Sequence, residues 1–443
     1  MKRQRYLTFF SLLFFGLFSL IASAQTTLPD SITIQSALDR ALKEYPTVHQ
    51  SVRTWEASVA RVGLSNAATL PTVDFEAGYT RLGPNSEIVI PHSEPLETYP
   101  LDNYDIHLMG RYTVYDFGRS KTAVDVSRQR SRAIQPAIEI TQSNLAMQTV
   151  QAFYSILFYR YSITAQDQLI ANLEAHKTFT EKQIQTGSAT DFDQLTTTVR
   201  IDVANGQKTD LENNLLKQEI TLRRLLGLDD SKPVNIAGTF INDTTGIEPQ
   251  SAVADALTNR PELIAAKAEE SAAKMQRNLV ALGERPTISS IATWGLKNGF
   301  EPNLDAIRGN WAAGLKLQVP LYDGNITGHK IAEADAQERL AHLKVSEQEK
   351  QITAEIRQCF ADLNTAKSKL ETVQKQVEHA QAALDNATFR YQAGTLRNIE
   401  LLDAETALTQ MKLLQIQAEY VFTLSEYALK KAMGNKYWQS NAQ

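Results

Sequence analysis

The residues whose types could do chemistry form no catalytic pattern in this sequence. The seven histidines include no pair at metal-ligand spacing, and the chain has neither a phosphate-binding loop nor a nucleophile elbow. The one cysteine, Cys359, allows no intrachain disulfide. It falls on a predicted helix, where a small apolar side chain is its ordinary role. We therefore expect no catalytic residues, no metal and no cofactor.

Acidic residues with a possible joint role follow two glycines. Asp193 comes six residues after Gly187, and Glu400 comes six residues after Gly394. The simplest role for such an acid is helix capping, since Thr190 and Asp193 have capping-box spacing and the helix dipole favours an acid in a first turn by about 0.3 to 1 kcal/mol. Each glycine is typical of a residue that ends a helix with positive φ. Spacing alone favours caps over a joint functional role.

These acids belong to a unit that occurs twice. Five residues recur 215 positions later in the chain: Ala41, Leu42, Pro46, Ala57 and Pro71. Four more positions match 207 residues later: Tyr115, Asp116, Gly187 and Asp193, the last of which is matched by Glu400. Such a repeat places working parts at matched positions in both copies. We assign residues 25–227 to the first repeat, 228–250 to a linker, 251–434 to the second repeat and 435–443 to a C-terminal tail.

The first 24 residues have the pattern of a secretory signal peptide. A basic start and an apolar run lead to the small residues Ala22, Ser23 and Ala24, so we expect export from the cytoplasm. Removing Lys2, Arg3 and Arg5 with this segment changes the formal net charge from -5 to -8. This acidic balance argues against nucleic acid as a partner.

Four segments alternate apolar and polar residues at period two, as strands with one apolar and one wet face do. They form one pair in about residues 71–117 and a second in about 287–322, with Ile291 breaking the pattern. Each is about as long as the 9 to 11 residues that a tilted membrane strand needs. Half-buried hairpins on a soluble core are the alternative. The candidate lipid-facing side chains are Val73, Phe75, Tyr79, Leu108, Tyr112, Trp294, Trp311, Leu315 and Leu317.

Two pairs of very long helices follow the strand pairs, in about residues 119–226 and 325–433. Residues 329–393 contain no glycine or proline, and 65 helical residues would reach about 100 Å. Apolar residues recur there at spacings of three, four and seven, as in a coiled coil. Pro136 predicts an interruption in the first pair. Shorter helices are expected in residues 31–68 and 252–282.

Counting the strands predicts an oligomer. An open four-stranded sheet in lipid would leave two edges of unpaired amides, at several kcal/mol for each group. Two copies would give eight strands and a barrel filled by its own side chains, whereas three would give twelve strands and a wet lumen. The polar inner faces favour a wet lumen. The predicted fold is a membrane β-barrel continued by a long α-helical tube.

The order of these elements resembles the TolC or outer membrane factor family over essentially the whole mature chain. The resemblance rests on the repeated Ala-Leu and Pro before a strand, on residues 319–324 (VPLYDG) at a strand-to-helix corner, and on residues 391–395 (YQAGT) at a helix turn. It implies a homotrimer in the outer membrane of a Gram-negative bacterium, with a twelve-stranded barrel and a coiled-coil periplasmic tube. It also implies a periplasmic adaptor and an inner-membrane transporter as partners.

The resemblance further implies a gate at the two helix turns. Aligned on Tyr391 and Gly394, the family's gate acids fall on Asp193, Glu400 and Asp403. Rings of like carboxylates around a narrow lumen would attract cations. The family match thus favours a gate, where spacing alone favours caps.

Family members also hold this tip shut with a tyrosine and an arginine. Tyr391 matches the tyrosine, but the arginine position holds Leu396, and Arg397 follows one residue later. One residue turns a side chain by about 100° around a helix. Tyr391 and Arg397 are therefore the candidates for the gate link, and the family's closing ion pairs do not carry over unchanged.

Three functions are compatible with the sequence. The favoured one is a passive outer-membrane export duct of a tripartite efflux or type I secretion system, opened at its periplasmic tip when the adaptor and pump engage. The alternative is a secreted coiled-coil scaffold or adhesin with soluble hairpins and no channel. An outer-membrane enzyme is disfavoured because the sequence lacks site chemistry.

Overall fold

The computed structural model describes residues 31–84, 87–88, 91, 96–229, 234–241 and 248–439. The predicted signal peptide, parts of the linker and residues 440–443 lie outside this range. Within it the helices are α1 (Ile34–Glu44), α2 (Pro46–Ala67), α3 (Arg119–Ile134), α4 (Ala137–Gln185), α5 (Asp191–Leu226), α6 (Pro249–Asn259), α7 (Pro261–Ala281), α8 (Ile326–Gln392) and α9 (Asn398–Ala432). The strands are β1 (Thr72–Arg81), β2 (Glu87–Ile88), β3 (Leu96–Glu97), β4 (Asp102–Tyr115), β5 (Thr287–Lys297) and β6 (Arg308–Gln318).

Four long strands form one antiparallel sheet in the order β1, β4, β5, β6. One row of the register runs from Phe75 to Leu108, Trp294 and Trp311. Because side chains alternate between faces, this register places all nine candidate lipid-facing residues on one face of the sheet. Ile291 pairs with Arg111 and Gly314 on the other face, which explains why it breaks the alternation.

The opposite face of the sheet carries charged side chains in cross-strand contacts. Arg111 lies 3.4 Å from Asp74 and 3.2 Å from Glu76, and Lys297 lies 3.4 Å from Asp105. The sheet therefore has one apolar and one charged face. Its edge strands, β1 and β6, pair with no further strand in the described part of the chain.

Prolines divide the helices more finely than the sequence predicted. The expected helices in 31–68 and 252–282 are each two helices, because Pro46 and Pro261 start new ones and hold the preceding residues, Tyr45 and Arg260, in extended backbone (ψ 127° and 120°). Pro136 lies at the predicted interruption, between α3 and α4. The matching helix of the second repeat, α8, runs unbroken for 67 residues.

The long helices form a layer in which α8 packs along α9, α9 along α4, and α4 along α5. Two apolar cores support the layer where the short helices join it. Phe153 and Leu222 belong to the core that includes α1, and Ile352 and Phe422 belong to the core that includes α7. No helix in the described residues is both long and apolar enough to cross a membrane.

Candidate gate at the helix turns

Both helix turns end with the same glycine geometry. Gly187 and Gly394 have φ of 76° and 73°, in the left-handed region that glycine adopts without strain. The following N–H groups donate back to the preceding helix, from Ser188 to the carbonyl of Gln183 (2.8 Å) and from Thr395 to that of Arg390 (2.9 Å). This is the Schellman pattern of helix ends. Each glycine lets a long helix stop and reverse within a few residues.

Asp193 caps its own helix. Its carboxylate accepts hydrogen bonds from the backbone N–H of Thr190 (3.0 Å) and from the Thr190 hydroxyl (2.7 Å). The Asp193 N–H donates in turn to the Thr190 hydroxyl at 3.3 Å. The capping box that the spacing indicated is therefore present, and the side chain is oriented locally.

Glu400 is paired within its own first turn. It accepts from the Arg397 backbone N–H (3.2 Å) and from the Arg397 guanidinium (3.0 Å). These backbone and side-chain hydrogen bonds hold the pKa of the Glu400 carboxyl below its usual value. The Arg397 side chain is 83% exposed, and among the described residues it makes no hydrogen bond or ion pair with another helix. An exposed pair of this kind contributes little to stability.

Asp403 takes part in a contact between the two repeats. Its carboxylate accepts a 2.6 Å hydrogen bond from the guanidinium of Arg200 on α5, and the same guanidinium donates to the Thr406 hydroxyl at 3.0 Å. Arg200 is only 26% exposed, so its position is fixed by packing. Arg200 of the first repeat thus binds Asp403 of the second repeat.

Tyr391 makes a second contact between the repeats. Its hydroxyl donates to the side-chain carbonyl of Gln183 at 3.0 Å, and its ring packs against His176 at 5.2 Å and Phe179 at 6.2 Å between centroids. Burial raises the pKa of the Tyr391 phenol.

Asn398 connects three helices, α9, α5 and α4, near the helix turns. Its amide nitrogen donates to the carbonyl of Asp193 at 3.3 Å, which leaves its amide oxygen to accept from the buried ring of His176. The four ends of the long helices are therefore tied together by side chains of His176, Gln183, Tyr391 and Asn398. No local pattern pointed to the roles of His176, Gln183 and Asn398, because each contact joins residues more than 200 positions apart.

The structure thus separates the five predicted gate residues into two groups. The side chains of Asp193, Glu400 and Arg397 make contacts within their own turns, whereas those of Tyr391 and Asp403 reach across to the other repeat. Among the residues described, no group of three or more His, Cys, Asp or Glu side chains is arranged to hold a metal ion. The arrangement can hold two helix hairpins together.

Comparison with known proteins shows the family to which the chain belongs. The family model described as outer membrane efflux protein matches residues 37–228 and 252–435, one segment for each repeat. The chain belongs to the outer membrane efflux protein family. Its fold class, its place in the outer membrane and its function as an efflux channel, all predicted from the sequence, are confirmed at the level of this family.

Individual relatives are distant but cover most of the chain. Protein CyaE of Bordetella pertussis is 24% identical over 385 residues, which are 85% of this chain and 78% of the relative. Outer membrane protein TolC of Escherichia coli K12 is 21% identical over 448 residues, covering 94% of this chain and 85% of TolC.

Solved structures have the same fold. The outer-membrane channel OprN superposes with a TM-score of 0.79 at 18% identity, covering 92% of this chain and 91% of OprN. CusC superposes with a TM-score of 0.79 at 17% identity, covering 93% of this chain and 94% of CusC. The family is one of passive transport channels.

Proposed function

We propose that this efflux protein is the outer-membrane duct of a tripartite export system and works as a homotrimer. Three copies of the four-stranded sheet close into a twelve-stranded barrel, and three helix layers form the periplasmic tube below it. An adaptor in the periplasm and a transporter in the inner membrane supply the energy and select the cargo, while the duct itself is passive.

The sheet carries this proposal. One face holds only uncharged side chains along the middle of every strand, including Trp294, Trp311 and Leu315, which are 69%, 77% and 76% exposed in a single subunit. Exposed apolar area of this extent needs a cover, and the outer-membrane lipid provides one. The two open edges need partners, since unpaired amides in lipid cost several kcal/mol each.

The charged face of the sheet favours three copies over two. An eight-stranded barrel fills its interior with side chains, whereas the face with Arg111, Asp74, Glu76 and Lys297 keeps its charges at low cost only in contact with water. Twelve strands enclose enough space for that water. The inner face then forms the wall of the aqueous path.

The helix turns form the periplasmic gate in this proposal. Asp193, Glu400 and Asp403 line its narrow end, and the contacts from Tyr391 to Gln183 and from Arg200 to Asp403 hold the two hairpins of one subunit together. Each contact is small, of the order of 1 kcal/mol for a partly exposed pair. Engagement of the adaptor can therefore break them, and the gate opens without any chemical step in this protein.

Single-channel recording in a planar bilayer tests this function. We expect the detergent-purified protein to insert and to give discrete conductance steps that grow when Arg200→Gln and Tyr391→Phe remove two of the contacts between the hairpins. A secreted scaffold or adhesin would instead remain in buffer without detergent and give no conductance. That result would reject the duct.

A further inference from the structure

A groove lies at the corner where strand β4 passes into helix α3. The strand residues Tyr112 and Tyr115 and the helix residues Lys121, Asp125 and Arg128 all line it, next to the end of α2. Its volume is about 460 Å³. Helix α3 packs between α2 and α7, so a groove between α2 and α3 is complete within one subunit.

The two tyrosines of the groove lie on the apolar face of the sheet. Tyr112 pairs with Ser290 on β5, and after a β-bulge Tyr115 pairs with Ile288. Both partners are an even number of residues from Trp294 and therefore share its face. The tyrosines are 41% and 52% exposed. Tyrosine at the end of a membrane strand is typical of the lipid headgroup level.

Helix α3 carries cations on two opposite faces. Lys121 and Arg128 are seven residues apart and point within about 20° of one another. Arg119 and Arg130 share the other face, about 160 to 180° away. Arg119 lines a different groove together with Thr287, which lies on the charged face of the sheet. Lys121 and Arg128 therefore point outward, on the side of the apolar face.

The outward groove has a positive charge to spare. The Arg128 guanidinium lies 2.9 Å from the Asp125 carboxylate, and the two side chains are 50% and 37% exposed. Lys121 is exposed and takes part in no ion pair with any residue that the structure describes. An anion placed here would meet an available ammonium group beside two tyrosine rings.

The second repeat provides an internal comparison, because its corner is built in the same way without this charge. At the offset of 207, Lys121 matches Gly328 and Arg128 matches Asp335. Asp335 lies 2.9 Å from Arg277, so the matched positions hold no net positive charge. The corner can thus form without outward cations, and those of the first repeat are free to serve a ligand.

We propose that this groove binds the headgroup phosphate of an anionic phospholipid in the periplasmic leaflet of the outer membrane. Lys121 and Arg128 donate hydrogen bonds to the phosphate oxygens, and the acyl chains lie along Tyr112 and Tyr115. This inference rests on the proposed duct, which places the apolar face of the sheet in lipid. Each subunit has one such site, so the homotrimer holds three lipids at the junction of barrel and tube.

Native mass spectrometry of the detergent-purified full chain tests the site. The protein is titrated with phosphatidylglycerol or with phosphatidylcholine, and we expect one tightly held phosphatidylglycerol per subunit and weaker binding of phosphatidylcholine. Lys121→Gln combined with Arg128→Gln should lower the affinity for phosphatidylglycerol by about fivefold for each cation removed. The matched control, Arg119→Gln combined with Arg130→Gln, removes the same charge from the opposite face of the same helix and should bind like wild type.

Thermal dissociation of the oligomer gives a second measurement. Phosphatidylglycerol should raise the dissociation temperature of the wild type and of the control, but not that of the outward variant, and inorganic phosphate at the same concentration should raise none of them. An intact oligomer that binds both lipids equally, or loses phosphatidylglycerol equally in both variants, would overturn the site and leave the duct standing. Equal stabilisation by inorganic phosphate would overturn a lipid as the ligand. A wild-type protein that forms no oligomer would overturn the duct and the site together.

Discussion

The sheet and the helix turns, at opposite ends of the long helices, are built on different principles. In the sheet, one face is apolar over all four strands, and the same kind of cross-strand pairing repeats along each pair of neighbouring strands. At the turns, a few side chains from distant parts of the chain make single contacts, such as Arg200 with Asp403. A stable barrel needs many equivalent contacts, whereas a gate needs few and weak ones. The expected effects of substitution differ accordingly.

The largest expected effect is a charge on the apolar face of the sheet. Leu315→Arg should cost about 2 to 4 kcal/mol near the membrane midplane and should reduce the assembled protein in outer-membrane fractions. The control, Lys316→Gln, lies next to it on the charged face and should assemble nearly as wild type. Assembly can be measured as heat-modifiable oligomer on gels. Equal losses at the two positions would mean that the faces are misassigned.

A second substitution tests the close approach of β4 and β5. A Cβ atom at Gly295 would lie 2.1 Å from the carbonyl oxygen of Ile106 and 2.5 Å from the Cα of His107. Gly295→Ala must therefore separate the strands and should destabilise the oligomer by roughly 1 to 3 kcal/mol. At Gly314, on the same face, the nearest atom is 4.0 Å away, so Gly314→Ala serves as the control. Thermal dissociation midpoints that fall equally would contradict this geometry.

At the turns the expected effects are smaller and appear in conductance more than in stability. Arg200→Gln removes the partner of Asp403 at a cost of about 1 kcal/mol or less. It should raise both open-channel occupancy and cation preference, because the freed carboxylate then faces the lumen. Neutralising Glu400 and Asp403 together should lower cation preference instead. Reversal potentials in a salt gradient measure both. Selectivity that does not change in either variant would remove these acids from the lumen.

The smallest expected effect is the pH dependence of the Glu400 cap. The pKa of this carboxyl is lower in the folded than in the unfolded protein. Its contribution to stability is therefore fully present above the unfolded pKa and is lost as the pH falls through the folded pKa. Hydrogen exchange of residues 395–403 should therefore show protection that is constant near neutral pH and declines in acid. Glu400→Gln should remove the decline. A decline that persists in this variant would assign it to another group.

Local patterns in the sequence were enough to predict the sheet and the helices. Alternation at period two identified the apolar face, and even the exception at Ile291 has its place on the charged face. Prolines were the main source of error, because Pro46 and Pro261 start new helices within the segments 31–68 and 252–282, each of which had been predicted without a break.

The contacts at the turns could be predicted only in part. The capping box of Thr190 and Asp193 is a local pattern and was visible. The roles of Arg200, His176 and Gln183 depend on how the two repeats pack, and no short-range spacing records that packing. For the same reason, the position of Arg397 in the sequence suggested a link between hairpins, whereas its carboxylate partner is Glu400 in its own turn.

The mass of the purified protein in detergent, by native mass spectrometry, tests most directly whether neighbouring copies complete the sheet. We predict a complex of three subunits that falls apart only when the sheet is disrupted, as by Leu315→Arg. A single subunit that stays folded and dissolved in detergent-free buffer would contradict the barrel, the tube and the gate together.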